Sequence, residues 1–411
     1  MKRERTTFLA KFYMWLIVLL PVLAQYKVGP LDLDTVLMIV FFLCALVSRN
    51  YLWGTRLNGK ALVIFLYIVV TTVVNILWGQ KFSPTADIVL RSGRYCLYII
   101  IVFFLGNEYV RYEQIMKIYR IVAYAATIYV IIQTIAFYGA GITLPNKIGA
   151  TVNDATAEVG RLRSFYSEPA VMSYSLVAFI ACSLFGKPYG KKTANASLDA
   201  IFVSTGIILS TSGQGIVATG VIWVLWVLDG LIKRKLKFKQ LCMLMGAVIV
   251  VVVLYNSGIL KYALDRAGNT NEGGAVDARM SGYESLALLS GLQKIFGSGF
   301  GNYVVENVFG LDVVYEFVNY SSLAEFLFTL GIVGTALWVL LFITLFKKGP
   351  VCTKVLIAAM TVLAFGGCPL SGLFMPLWLT LMSIQLPKGY FATEQLQASA
   401  AEMTQDMKAR V

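Results

Sequence analysis

The stretch GRLRSFYSEPAVMSYSLVAFIACSLF, Gly160–Phe185, sets two arginines and a carboxylate directly before an apolar run. A run of this kind is a candidate membrane crossing, which takes about 20 mainly apolar residues. Pro169 suits the first turn of a helix, and it biases Glu168 away from helical dihedrals. The helix is therefore expected to start at Ser167–Pro169, with the positive end of its dipole beside Glu168. What Arg161, Arg163 and Glu168 do at that mouth depends on which side of a membrane it faces.

Composition gives the class. The 411 residues are 58% hydrophobic and 14% charged, against roughly 25% charged in a soluble domain. Apolar stretches recur near 10–24, 33–48, 60–78, 88–106, 115–139, 169–186, 197–211, 214–231, 240–257, 320–346, 352–367 and 373–386. The expectation is an all-α polytopic integral membrane protein of about 12 transmembrane helices. It would form one membrane domain over residues 1–390, followed by a polar cytoplasmic tail over 391–411. The first apolar run lacks a small-residue cleavage site and reads as a first span, not a removable signal.

The six cysteines are scattered singly, with no CxxC pair, so neither a zinc site nor a redox motif is suggested. Histidine is absent, which excludes any mechanism built on an imidazole base, nucleophile or ligand.

Lys and Arg concentrate in cytoplasmic loops. With the N-terminus inside, 24 of the 35 Lys and Arg fall on the inner side and 11 on the outer, while the 22 acids divide 8 and 14. The formal net charge of +13 is then a topology signal and no sign of nucleic-acid binding. Both termini are cytoplasmic on this reading. Two loops are long on the outer side, about 141–167 and about 258–319. Loops beyond about 12–15 residues are uncommon unless functional or disordered. The longer one contains ESLALLSGLQKIF, Glu284–Phe296, whose apolar residues recur on one helical face. It is expected to be a folded cap over the outer surface.

The outer side is rich in arginine. Arg161 and Arg163 alternate in an extended segment and so share a side. Arg91 and Arg94 lie three apart on a helix and so share a face. Arg266 and Arg279 lie in the large loop. Arginine suits bidentate contact with phosphate oxygens, so the set favours an anionic ligand. The apolar region 197–231 is broken by STSGQG, Ser210–Gly215. The break either opens a polar cavity near Ser212 and Gln214 or is a tight hairpin at the outer surface.

These segments resemble the O-antigen polymerase and O-antigen ligase superfamily of bacterial membrane glycosyltransferases over roughly residues 85–370. RLRSFYSEPAVMSY is similar to the family's arginine followed by Glu-Pro at a span start. STSGQGIVATGV is similar to its small-polar break before an apolar span. ARMSGYESLALLSGLQKIFGSGFGNY is similar to its large-loop pattern, an arginine, an amphipathic segment and then Gly297, Gly299 and Gly301. VNYSSLAEFLFTLGIVG is similar to the span that follows. Many members carry an arginine in the small-polar break, where this chain has Gln214. Ligases carry a histidine before the asparagine of the late motif, where this chain has Val318 before Asn319.

The resemblance implies a GT-C-type fold in the bacterial inner membrane. It implies polymerisation of polyprenyl-diphosphate-linked oligosaccharide repeat units, with no metal and no cofactor. A chain-length regulator and a flippase are partners by the same resemblance. Under it, Glu168, Arg279 and Arg163 are the expected catalytic residues. Arg161, Arg91, Arg94, Arg266, Gln214, Asn319 and Tyr283 are expected to bind diphosphate or sugar. Glu325, Glu284 and Asp277 are the next carboxylates on the same side. A ligase of the superfamily is the nearer alternative, set back by the missing histidine. A lipid-linked sugar flippase is the more distant one, set back by the lack of an internal repeat.

Overall fold

The computed structural model describes residues 8–29, 31–47, 56–79, 81–106, 110–147, 162–186, 196–233, 277–303, 320–370 and 372–384, with isolated positions 245, 252 and 256. The helices are α1 (Phe8–Leu23), α2 (Leu33–Val47), α3 (Arg56–Trp78), α4 (Thr85–Ile100), α5 (Tyr112–Ala140), α6 (Pro169–Phe185), α7 (Ala196–Leu209) and α8 (Gly213–Ile232). After these come α9 (Asp277–Glu284), α10 (Gly291–Phe296), α11 (Ser322–Lys348), α12 (Val351–Gly366) and α13 (Met375–Ser383). A small antiparallel hairpin, β1 (Lys27–Val28) and β2 (Leu31–Asp32), joins α1 to α2. A π-helical stretch, Ile101–Gly106, continues α4. The apolar stretch 240–257 and the tail 391–411 lie outside the described residues, apart from the isolated positions.

Among the described residues, five helical segments are long and apolar enough to cross a membrane: Gly59–Trp78, Thr85–Leu105, Tyr112–Ala140, Gly213–Ile232 and Ser322–Lys348. Along α3, Leu62, Val63, Leu66, Val70, Val73 and Val74 are exposed. A contiguous apolar face of this kind is rare on a soluble monomer, and lipid is the solvent that suits it. The protein is a helical membrane protein.

The opening stretch becomes the centre of the bundle. Every residue of α6 from Met172 to Ser183 is buried, as expected of a helix that is apolar all round. It packs on α7, α8, α12 and α5. The helix starts at Pro169 with Glu168 at the N-cap in an extended conformation and no side-chain cap.

Contacts sort the connections onto two faces. On the first, Gln25 donates to Phe165 O at 2.7 Å, Phe82 N to Asn302 Oδ1 at 2.7 Å, Ser322 N to Gly367 O at 2.7 Å and Tyr283 OH to Phe365 O at 3.0 Å. On the second, Lys60 Nζ donates to Thr344 Oγ1 at 2.5 Å, Tyr112 OH to Cys182 O at 3.2 Å, and Arg120 pairs with Asp199 at 2.9 Å. The first face therefore gathers the connections expected on the outer side.

Two expectations about local structure are corrected. ESLALLSGLQKIF is not one amphipathic helix. It is the end of α9, a 3-10 turn over Ser285–Leu288, a break, and then α10, which Ser290 and Gln293 start with a reciprocal capping box. That box satisfies two otherwise orphaned backbone donors, so a new helix begins although the apolar period runs on.

The second correction is that the described part of the large loop is a wedge and not a cap. Residues 297–303 pack against α3, α4 and α11. Gly297, Gly299 and Gly301 all have left-handed φ, +87°, +89° and +80°. A Cβ on Gly299 would lie 3.1 Å from Thr72 Cα, and one on Gly301 would lie 2.9 Å from Arg91 Cβ. The glycines let backbone approach backbone. Helix α11 is kinked at Gly331 (φ 64°, ψ −170°), roughly 13 Å along its length at 1.5 Å per residue. The kink frees carbonyls that the wedge and Tyr67 of α3 then take. Ser298 N donates to Phe328 O at 2.9 Å, Gly299 N to Thr329 O at 3.0 Å and Tyr67 OH to Leu330 O at 2.9 Å. Non-helical backbone at this depth is tolerated because protein covers it and satisfies it.

Candidate functional site

Helix α4 carries the site. Its first turn follows Pro84, and Arg91 and Arg94 come on the second and third turns, on one face. With Lys27, Leu31, Asp32, Thr35, Asp87 and Leu90 they line a cavity of about 240 Å³ on the first face. The β1–β2 hairpin supplies Lys27, Leu31 and Asp32, and α2 supplies Thr35.

The two arginines are held differently. Arg94 NH1 is 2.5 Å from Asp32 Oδ2, with both side chains about three-quarters buried. Asp34, in the first turn of α2, is fully buried and accepts from Tyr98 OH at 2.6 Å. Arg91 is looser. It lies 3.8 Å from Asp87 and donates at 3.4 Å to Ser83 Oγ and to Gly301 O. Its guanidinium rests 4.6 Å over the ring of Tyr303. That cation–π contact orients the fork without consuming its donors. Burial pushes the Tyr303 phenol up to about 12, with the charge of Glu325 acting the same way and the arginines opposing. The phenol therefore stays neutral.

The charges lining the cavity are three cations, Lys27, Arg91 and Arg94, and two carboxylates, Asp32 and Asp87. An anion can enter without first building a site. Glu325, in the first turn of α11, is 7% exposed and lies within electrostatic range of both arginines.

The other expected site residues fall into three groups. Arg163 is buried and donates to Ser167 O at 2.9 Å, which ties the loop before α6 to itself. Glu168 is exposed at the N-cap of α6. Gln214 bridges Tyr174 OH and Gly366 O, and Tyr283 braces Phe365 O and accepts from Ser321 Oγ at 2.9 Å. Arg161, Arg266, Asn319 and the side chain of Arg279 lie outside the described residues. Within Ser210–Gly215 the break is a tight turn between α7 and α8, and its Ser210 and Ser212 are buried and not at the surface. Thr211 takes a positive φ of 55° and buried Ser212 caps α8 by accepting from Gly215 N at 3.4 Å.

Sequence reasoning found Arg91 and Arg94 and missed Asp32. Nothing local marks Asp32, because its partner is 62 residues away and only the folded hairpin brings them together. No protein-family model matches the chain, and no curated protein matches it.

Proposed function

We propose that this protein is a membrane glycosyltransferase that polymerises polyprenyl-diphosphate-linked oligosaccharide repeat units into O-antigen, capsular polysaccharide or exopolysaccharide. The observation that carries the reading is the pairing of Arg91 and Arg94 with Lys27 around one cavity at the mouth of α4. It joins the sequence resemblance, which points to the same chemistry. On this reading the first face is the outer face of a bacterial cytoplasmic membrane. The chain crosses that membrane about twelve times in a GT-C-type fold, with both termini inside. A chain-length regulator and a flippase are its expected partners.

The chemistry asks little of the protein beyond charge placement. A diphosphate is already a good leaving group, so the protein must bind it and stabilise the charge that develops. Planar guanidiniums match its oxygens in pairs. Among the described residues, Arg91 donates at 3.4 Å, to Ser83 Oγ and Gly301 O, and Arg94 can exchange the Asp32 carboxylate for a phosphate. Arg161, Arg266 and Arg279 remain candidates for further contacts to the substrate. Arg163 and Gln214 act through packing.

Deleting the gene from its host tests the reading. The expected result is an acceptor capped by a single repeat unit, with the ladder of longer glycans lost. Loss of all transferred glycan would point instead to ligation or lipid flipping.

A further inference from the structure

Lys27 and Asp32 stand directly opposite each other on the β1–β2 hairpin, and both line the arginine cavity. Asp32 is nevertheless committed elsewhere, with its Oδ2 2.5 Å from Arg94 NH1. Lys27 is exposed and, among the described residues, makes no ion pair.

The two neighbouring carboxylates are placed differently. Asp34 is fully buried and fixed. Tyr98 OH donates to one of its oxygens at 2.6 Å, and Thr35 Oγ1 lies 3.5 Å from the other. Asp87 is nearly half-exposed, 3.8 Å from Arg91 on its own helix, so water serves it when Arg91 turns away. Asp32 is about three-quarters buried and rests on Arg94.

An anion that takes the Arg94 donors would leave Asp32 unpaired and beside a like charge. A buried carboxylate in that position is costly unless another cation meets it. Residues directly opposite in an antiparallel pair have Cβ atoms about 4.5–5.5 Å apart on one face of the ribbon. The lysine ammonium moves on a flexible stem, so Lys27 can meet Asp32 without a backbone change.

We propose that Asp32 is a displaceable counter-ion. It holds Arg94 in place until a phosphate or diphosphate group takes the guanidinium, and it then passes to Lys27. The exchange rests on the reading of this cavity as a diphosphate site. It involves ion pairs alone, and no covalent bond forms or breaks. The same carboxylate competes for Arg94 when a diphosphate product has to leave.

The test is titration of the purified full-length protein in detergent with inorganic pyrophosphate at fixed ionic strength. Asp32→Asn keeps the side-chain shape and removes the competing charge. Its dissociation constant is expected to fall at least about fivefold. Lys27→Met is expected to weaken binding to the parent at least about fivefold. In the Asp32→Asn background it should change binding less than about twofold, the limit for independent sites, because no carboxylate is left to receive. Folded Asp32→Asn that binds no tighter than the parent would overturn the exchange. An equal loss from Lys27→Met in both backgrounds would overturn it too, since that marks direct contact of Lys27 with the anion. Lys27 is exposed, so Lys27→Met can be read even where Asp32→Asn does not fold, and an affinity equal to the parent's would overturn the exchange by itself. A parent protein that does not bind pyrophosphate would overturn the diphosphate reading of the cavity together with the exchange. Polyprenyl diphosphate in nanodiscs should displace the bound pyrophosphate. If it does not, the exchange serves a free diphosphate and the polymerase reading falls.

Discussion

Replacing Gly331 by alanine is expected to leave almost no folded protein in the membrane. Its backbone conformation, φ 64° and ψ −170°, belongs to a region that only glycine occupies readily. A Cβ there would also meet the backbone of Ile295 and Gly297, which have no flexible end to move aside. Strain of about 1–3 kcal/mol adds to a backbone clash, and together they reach the range of about 4–5 kcal/mol that marks severe substitutions. Total stability is only about 5–15 kcal/mol. Gly291→Ala is the control. It lies in the first turn of α10 with open space around its Cβ position, and alanine is the better helix former. Membrane accumulation and melting in detergent should separate the two variants. Equal accumulation and melting would contradict the account of the wedge.

Replacing both Arg91 and Arg94 by lysine is expected to reduce glycan polymerisation at least about 100-fold, since losing one preorganised donor to a developing oxyanion costs about 10²–10³. Lysine preserves the charge of the cavity. It removes the planar fork that matches two phosphate oxygens, and at Arg91 it also removes the guanidinium face that rests on Tyr303. Arg120→Lys is the comparison. It weakens an ion pair with Asp199 on the opposite face and should cost stability without a comparable loss of rate. If Arg91→Lys/Arg94→Lys is folded and polymerises at the parent's rate, the two residues do not clamp the diphosphate.

The helices were legible because their signals are local. Pro169 marks the start of α6, and the apolar stretches near 60–78 and 115–139 foretell α3 and α5. The one-helix reading of Glu284–Phe296 failed because apolar period alone was followed across Ser290. The Ser290-x-x-Gln293 spacing, a start signal in its own right, was there to be read. Arg91 and Arg94 could be found by their three-residue spacing. The ion pair of Arg94 with Asp32 could not, since it depends on where the β1–β2 hairpin folds.

The cap became a wedge for a physical reason. A loop expected to lie on water needs no special backbone. Gly297, Gly299 and Gly301 with Gly331 opposite supply a backbone that can enter a helix bundle and be satisfied there. The same insertion sets Phe300 under Tyr95, Tyr303 under Arg91 and Gly301 against the Arg91 stem. The wedge thus positions the arginine cavity, and damage to it should reach activity as well as stability.

The most direct measurement of the central claim is reconstitution of the purified protein in liposomes with purified polyprenyl-diphosphate-linked repeat units. The account predicts a ladder of glycans still attached to lipid, with one free polyprenyl diphosphate released for each new linkage. Repeat units that stay unjoined, or that only cross the bilayer, would contradict it.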